Sequence, residues 1–217
     1  MRSTSYLAAF VLAMPVLAQA QTEPVNLVKN GSFEATVLAS GSQGSYARIE
    51  GWTADRNQTI ELRHNLVGTA FDGKNFAELD AASNSTMRQS VLGFTVGETY
   101  TLSFAYANRP GTLPATNGLA WSLGGGVWTD LATPSHGPSR DHQWQQFSTT
   151  FVANAATVGL SFRALGISDA YGSSLDAVSI TRLTSPVPEP STLAMLLAGL
   201  GVVGLMVRRR SSLSTSH

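Results

Sequence analysis

Residues 99–106 read Thr-Tyr-Thr-Leu-Ser-Phe-Ala-Tyr (TYTLSFAY). Tyr100, Leu102, Phe104 and Tyr106 take every second place, and Thr99, Thr101, Ser103 and Ala105 the places between. Side chains alternate across a strand, so one face is apolar and the other polar, the pattern of a half-buried β-strand. The same period recurs outward from it. Val158, Leu160 and Phe162 alternate with Gly159, Ser161 and Arg163. Phe147, Thr149 and Phe151 alternate within 144–152, and Val178 and Ile180 are expected to face inward within 175–183. Shorter candidates are 25–28, 60–63, 76–79, 87–91, 119–123 and 127–131. Gly97-Glu98 and Gly124-Gly125-Gly126 read as turns. About ten one-faced strands with no long helical periodicity predict an all-β fold, an antiparallel jelly-roll β-sandwich.

The two ends of the chain differ from this middle. Arg2, an apolar stretch at 6–17 and the small-x-small box Ala18-Gln19-Ala20 make the pattern of an N-terminal signal peptide cut after Ala20. At the other end, an uncharged run at 191–207 follows Pro188-Glu189-Pro190 and precedes Arg208, Arg209 and Arg210. As a helix rising about 1.5 Å per residue, that run reaches roughly 25 Å, slightly less than a bilayer's hydrocarbon core. Pro190 suits a first helical turn, and Glu189 lies favourably beside a positive helix N-terminus. A single C-terminal transmembrane helix is expected, with the arginines on the cytoplasmic side.

The chain has 217 residues, no net charge and no cysteine. Setting aside Arg2, Arg208, Arg209, Arg210 and Glu189 leaves ten basic and thirteen acidic residues in the middle. That mild acidity argues against nucleic acid as a partner, which calls for a basic face. Stability in an oxidising compartment must come without disulfides, from the core and from any bound metal.

The Pro188-Glu189-Pro190 box, apolar helix and arginine cluster together resemble the PEP-CTERM sorting signal of exported Gram-negative proteins. The resemblance implies recognition by an exosortase, an inner-membrane-anchored precursor, and a product at the cell surface or in the extracellular matrix. The expected divisions are signal peptide 1–20, passenger 21–185, sorting and anchor segment 186–210 and cytoplasmic tail 211–217.

The passenger carries a second resemblance. Asn26-Leu27-Val28-Lys29-Asn30-Gly31-Ser32-Phe33-Glu34 opens it, followed by Gly51-Trp52, Phe76-Ala77-Glu78-Leu79-Asp80 and Met87-Arg88-Gln89-Ser90-Val91. Gly97 to Phe104, Trp144 and the closing Ser174 to Ile180 come after in order. The series is similar to galactose-binding-domain-like jelly rolls, several carbohydrate-binding modules among them. This resemblance implies a structural calcium where the first strand passes the last. Its carboxylates would be Glu34 and Asp176, Leu175 standing where a second acid would be. The alternative is that both acids accept hydrogen bonds from neighbouring loops.

Sugars stack apolar C–H faces on aromatic rings and fix their edges by hydrogen bonds. Trp52 and Trp144 stand where similar sandwiches use them for packing. Trp121 and Trp128 flank the triple-glycine turn, with Arg109 and Tyr171 as further ligand-binding candidates; ordinary hairpin packing and a solvated loop are the alternatives. Catalysis has little support: His64, His136, His142 and His217 are scattered, and no nucleophile elbow or phosphate loop occurs. His142 beside Asp141 is the nearest thing to an oriented base. The expected function is therefore a non-catalytic exported protein binding polysaccharide, such as exopolysaccharide of a biofilm matrix. A self-associating surface protein and a secreted hydrolase are the alternatives.

Overall fold

The alternation at 99–106 becomes the interior of a sheet. In the computed structural model, which describes residues 24–131, 140–183 and 190–212, the strands are β1 (Ser42–Tyr46), β2 (Arg48–Ile49), β3 (Trp52–Ala54), β4 (Ile60–His64), β5 (Asn75–Glu78) and β6 (Thr86–Leu92). They continue with β7 (Thr99–Ala107), β8 (Leu119–Leu123), β9 (Thr129–Asp130), β10 (Gln145–Val152), β11 (Thr157–Ala164) and β12 (Ser174–Arg182). Two six-stranded antiparallel sheets result, one ordered β1-β4-β5-β12-β7-β10 and the other β2-β3-β6-β11-β8-β9. From β5 onward the chain crosses repeatedly between them, so each sheet covers the apolar face of the other.

The inner faces meet on aromatic rings. Phe162 of β11 lies 5.0 Å from Phe104 of β7 and 6.0 Å from Trp52, which also contacts Phe33 at 6.1 Å. Each such side chain, fully buried, contributes about 1.5–3 kcal/mol. Val178 and Ile180 face this core as expected. Positive φ at Gly97, Gly124 and Gly125 confirms the two glycine turns.

Three expectations are corrected. Strands β1, β2 and β3 fall outside every stretch expected to be a strand. Conversely, 25–28 is no strand. Its polar groups go instead to β12, which bulges between Asp176 and Ser179 away from β7. Leu27 N donates to Ile180 O, Val178 N to Gly31 O and Ile180 N to Asn26 Oδ1, while Asn26 Nδ2 donates to Val178 O. Lastly, 127–131 pairs only over Thr129–Asp130.

Helix α1 runs Pro190–Ser212, and its described side chains at 194–205 are exposed. The uncharged run expected to be transmembrane lies within it. Among the described residues no helix is long and apolar enough to cross a membrane, in line with a run shorter than the roughly 30 Å hydrocarbon core. The signal-peptide residues Ala18 and Ala20, and Pro188 and Glu189, lie outside the described residues, as do His136 and His217.

The outer face of the first sheet is covered. Phe76 of β5 points outward and meets His142 at 4.7 Å and Trp144 at 6.1 Å. Trp144 thus packs on the outside of this sheet, not between the sheets. It donates from Nε1 to Thr69 O, and the His142 ring spans Thr69 O at Nδ1 and Ser174 Oγ at Nε2. Asp141 accepts from Thr69 N and Oγ1. Asp141 and His142, the nearest thing to an oriented base in the sequence, therefore belong to a strap across β5 and β12.

Burial pulls the His142 pKa down to about 4, and the charges of Arg63 and Arg109 act in the same direction. A folded value below the ordinary 6.5 means that stability present above pH 6.5 is lost as pH falls through about 4. The full difference is on the order of 3 kcal/mol. Glu78 and Asp176, pushed up to about 7 by burial, act oppositely: their contribution is full at acid pH and lost as pH rises through about 7. The melting temperature of the parent chain relative to His142→Gln is expected to fall between pH 6.5 and 4. A constant difference across that range would show that His142 carries no such linkage.

Candidate functional site

The outer face of the second sheet is open. Thr53, Arg88, Ser161 and Ser122 stand opposite one another in one row across β3, β6, β11 and β8, and Gly159 faces Ser90 in the next. Small side chains along the middle of this face leave a cleft of about 320 Å³, lined also by Gly51, Gln89 and, from the β8–β9 turn, Gly125. Ser122 Oγ donates to Gly126 O and holds that turn. Gln89 is spent on the backbone of Lys29. Arg88 makes a two-pronged pair with Asp55, Nε to Oδ1 at 2.6 Å and Nη2 to Oδ2 at 2.8 Å. This pair lowers the Asp55 pKa and raises that of Arg88. Because the pair is exposed, its stabilising effect is small; what it does is hold a guanidinium in one orientation at the cleft.

Trp128 lies outside the lining of this cleft, on the same face of the sheet. The Arg163 guanidinium lies 4.4 Å from its ring centroid, and Arg163 projects on the same face of β11 as Ser161, two residues away. Arg163 Nε is buried without a hydrogen-bond partner among the described residues. A half-buried indole thus adjoins the Arg163 guanidinium on the face that carries the cleft.

The other candidates lie elsewhere. Trp121 packs on Phe147 of the first sheet at 5.3 Å; it is a wall of the core, as the packing alternative had it. Arg109 and Tyr171 do come together, with the guanidinium 4.4 Å from the ring centroid. Beneath them, however, is a buried ionic cluster on the outer face of the first sheet. Glu61 and Glu78 stand directly opposite each other. Arg109 Nη1 lies 2.9 Å from Glu78 Oε1, and Arg63 Nε lies 2.5 Å from Glu61 and 3.3 Å from Glu78. Removing one partner would leave an uncompensated buried charge, so Arg109 has a structural duty whatever else Tyr171 touches.

Glu34 and Asp176 are the oxygens a calcium would use. Asp176 is fully buried, receives Phe71 N and Asp72 N at Oδ2, and receives Ala177 N at Oδ1. Glu34 Oε1 receives Lys74 N and Asn75 N. The oxygen-only chemistry suits a hard cation. Against it, among the described residues no three His, Cys, Asp or Glu are grouped to hold a metal ion. A calcium here would need backbone carbonyls to complete its shell.

The residues that sequence reasoning missed are the cleft itself and Arg163. Their one signal was the polar side of β11, Gly159-x-Ser161-x-Arg163, which reads equally as a solvated strand face.

Comparison with known proteins gives three results. Over 160 residues, 73% of this chain, the sequence is 28% identical to a multifunctional-autoprocessing repeats-in-toxin protein of Vibrio vulnificus. The match spans about 3% of the toxin's length. The sandwich is similar to carbohydrate-binding modules. One is TmCBM61, solved with beta-1,4-galactotriose, at a TM-score of 0.44 and 14% identity, covering 73% of this chain and 99% of that one. Another is a family 16 module at 0.47 and 15%, covering 72% and 99%. Residues 186–210 match the PEP-CTERM protein-sorting motif, and with it the chain carries the signal of an exported, membrane-anchored precursor.

Proposed function

We propose that this chain is a non-catalytic protein exported to the cell surface or matrix, and that its sandwich binds polysaccharide along the open cleft of the second sheet. The observation that carries the proposal is a cleft floored by Ser, Thr and Gly on the outer face of the second sheet, with the Trp128 ring laid on Arg163 on that same face. A sugar ring needs an apolar platform, room beside it and fixed polar groups at its edge. Trp128 offers the platform, the small residues of β6 and β11 the room, and Arg88 and Arg163 the donors. Trp128→Ala is expected to lower affinity for a bound glycan at least tenfold in affinity electrophoresis, with the far-ultraviolet circular dichroism unchanged. Tyr171→Ala, on the other sheet, leaves binding as it was. Equal loss in both variants would place the ligand elsewhere.

A structural calcium at the junction of the first and last segments belongs to the same proposal, with Glu34 and Asp176 as its carboxylates. Calcium is expected to raise the melting temperature by several degrees over the chelated protein, and Asp176→Asn to abolish the increment. No shift would leave the backbone amides of Phe71, Asp72, Lys74, Asn75 and Ala177 as the partners of these acids.

The segment from 186 acts as an address. The Pro188-Glu189-Pro190 box would be recognised by an exosortase-type peptidase, and α1 with Arg208 to Arg210 would hold the precursor at the inner membrane until it is cut. Mass spectrometry of the released protein is expected to show loss of the residues after the box. Glu189→Ala should leave a full-length product in the membrane fraction; a released product that still carries the arginines would contradict this role.

A further inference from the structure

Six exposed apolar side chains gather at one end of the sandwich: Val25, Leu92, Val96, Val127, Val152 and Leu183, each 54 to 89% exposed. The register places them together. Leu92 closes β6 opposite Thr157, the first residue of β11. Val152 closes β10 opposite Thr99, and Leu183 N donates to Thr99 O. Val96 precedes Gly97, whose N–H donates to Ala153 O. Val127 follows the turn in which Gly124 N donates to Gly159 O, and Val25 lies two residues before Leu27, which is bonded to Ile180. The charged groups at this rim, Arg182 and Glu98, pair at 2.6 Å.

Exposed apolar residues also occur at the opposite end, among them Leu113 and Ile167. What distinguishes the first end is where the chain leaves it. Leu183 is its last described residue, and α1 begins at Pro190. Seven residue steps reach at most about 25 Å. The uncharged run of α1, bearing exposed Leu196, Leu200, Val203 and Leu205, is thus tethered within that distance of an apolar rim whose two charged groups are paired.

We propose that this end of the sandwich docks on the lipid surface that holds α1. The inference rests on the membrane role of α1 proposed above. Valine and leucine side chains enter the head-group boundary with a favourable transfer free energy, and the tether makes the encounter intramolecular, at high effective concentration. Docking holds Leu183 and the start of α1 at one lipid surface, which brings the cleavage box between them within reach of a membrane-embedded peptidase.

The chain has no cysteine, which permits single-site labelling. Full-length Val96→Cys, Val152→Cys, Leu113→Cys and Gly199→Cys chains carry a bimane fluorophore and are reconstituted in phosphatidylcholine–phosphatidylglycerol vesicles containing brominated lipid. Quenching at 96 and 152 is expected to exceed that at 113 several-fold, and Leu92→Asp with Val127→Asp should bring position 96 down to the level of 113. If 96 and 152 quench no more than 113 while 199 is quenched, the docking is wrong and the membrane role of α1 stands. If 199 is not quenched, the tail does not insert and both fall.

Discussion

The contact on which the rest depends is the passage of the first segment over the last strand at Gly31. A Cβ there would stand 1.9 Å from the Val178 carbonyl oxygen, so glycine alone lets the two backbones meet. Val178 N donates to Gly31 O across this approach, and Ala177 turns to a φ of 50° to allow it. The bulge that results in β12 costs a length of ladder with β7, and the hydrogen bonds from Asn26, Leu27 and Gly31 replace it. Phe33 continues from this crossing into the core, and Glu34 and Asp176 are set beside the 71–75 loop. Core closure and the candidate calcium ligands therefore share one origin.

The outer faces of the two sheets diverge for a physical reason. On the first, the charged Glu61, Arg63 and Glu78 and the bulky Phe76 are buried, Phe76 beneath the His142 and Trp144 rings. Burial of carboxylates and guanidinium groups is tolerable because they are matched two against two, although it still pushes Glu78 up to about 7. On the second, the middle rows carry Ser, Thr and Gly, which leave space and need no such cover. The open cleft is where a ligand is proposed; the filled charged layer serves stability.

The passenger and its tail meet the same demand from opposite sides. The tail carries an apolar helix with no fold around it, and the end of the sandwich nearest to it is rimmed by valine and leucine with its charges paired. A lipid surface answers both, and the short tether joins them. Release by cleavage at 184–189 would then free the sandwich from its tether.

Much of this was legible in the sequence. Alternation at 99–106 and 158–163, and the glycine turns at 97 and 124–126, are local properties, since side-chain direction in a strand and positive φ are set within a few residues. The sorting segment is legible for the same reason: its composition and order are its signal. The tertiary structure alone decided which polar faces stay open. Trp121 and Trp128 look alike beside their shared turn, yet one meets Phe147 across the core and the other lies on Arg163 outside it. Arg109 looks like an exposed donor, but its partner Glu78 is 31 residues away in sequence and meets it only through the sheet order β5-β12-β7. Residues 25–28 alternate too weakly to reveal that their hydrogen bonds belong to β12, about 150 residues on. Pairing between distant segments is settled by which faces must be covered, and no single stretch of the chain contains that information.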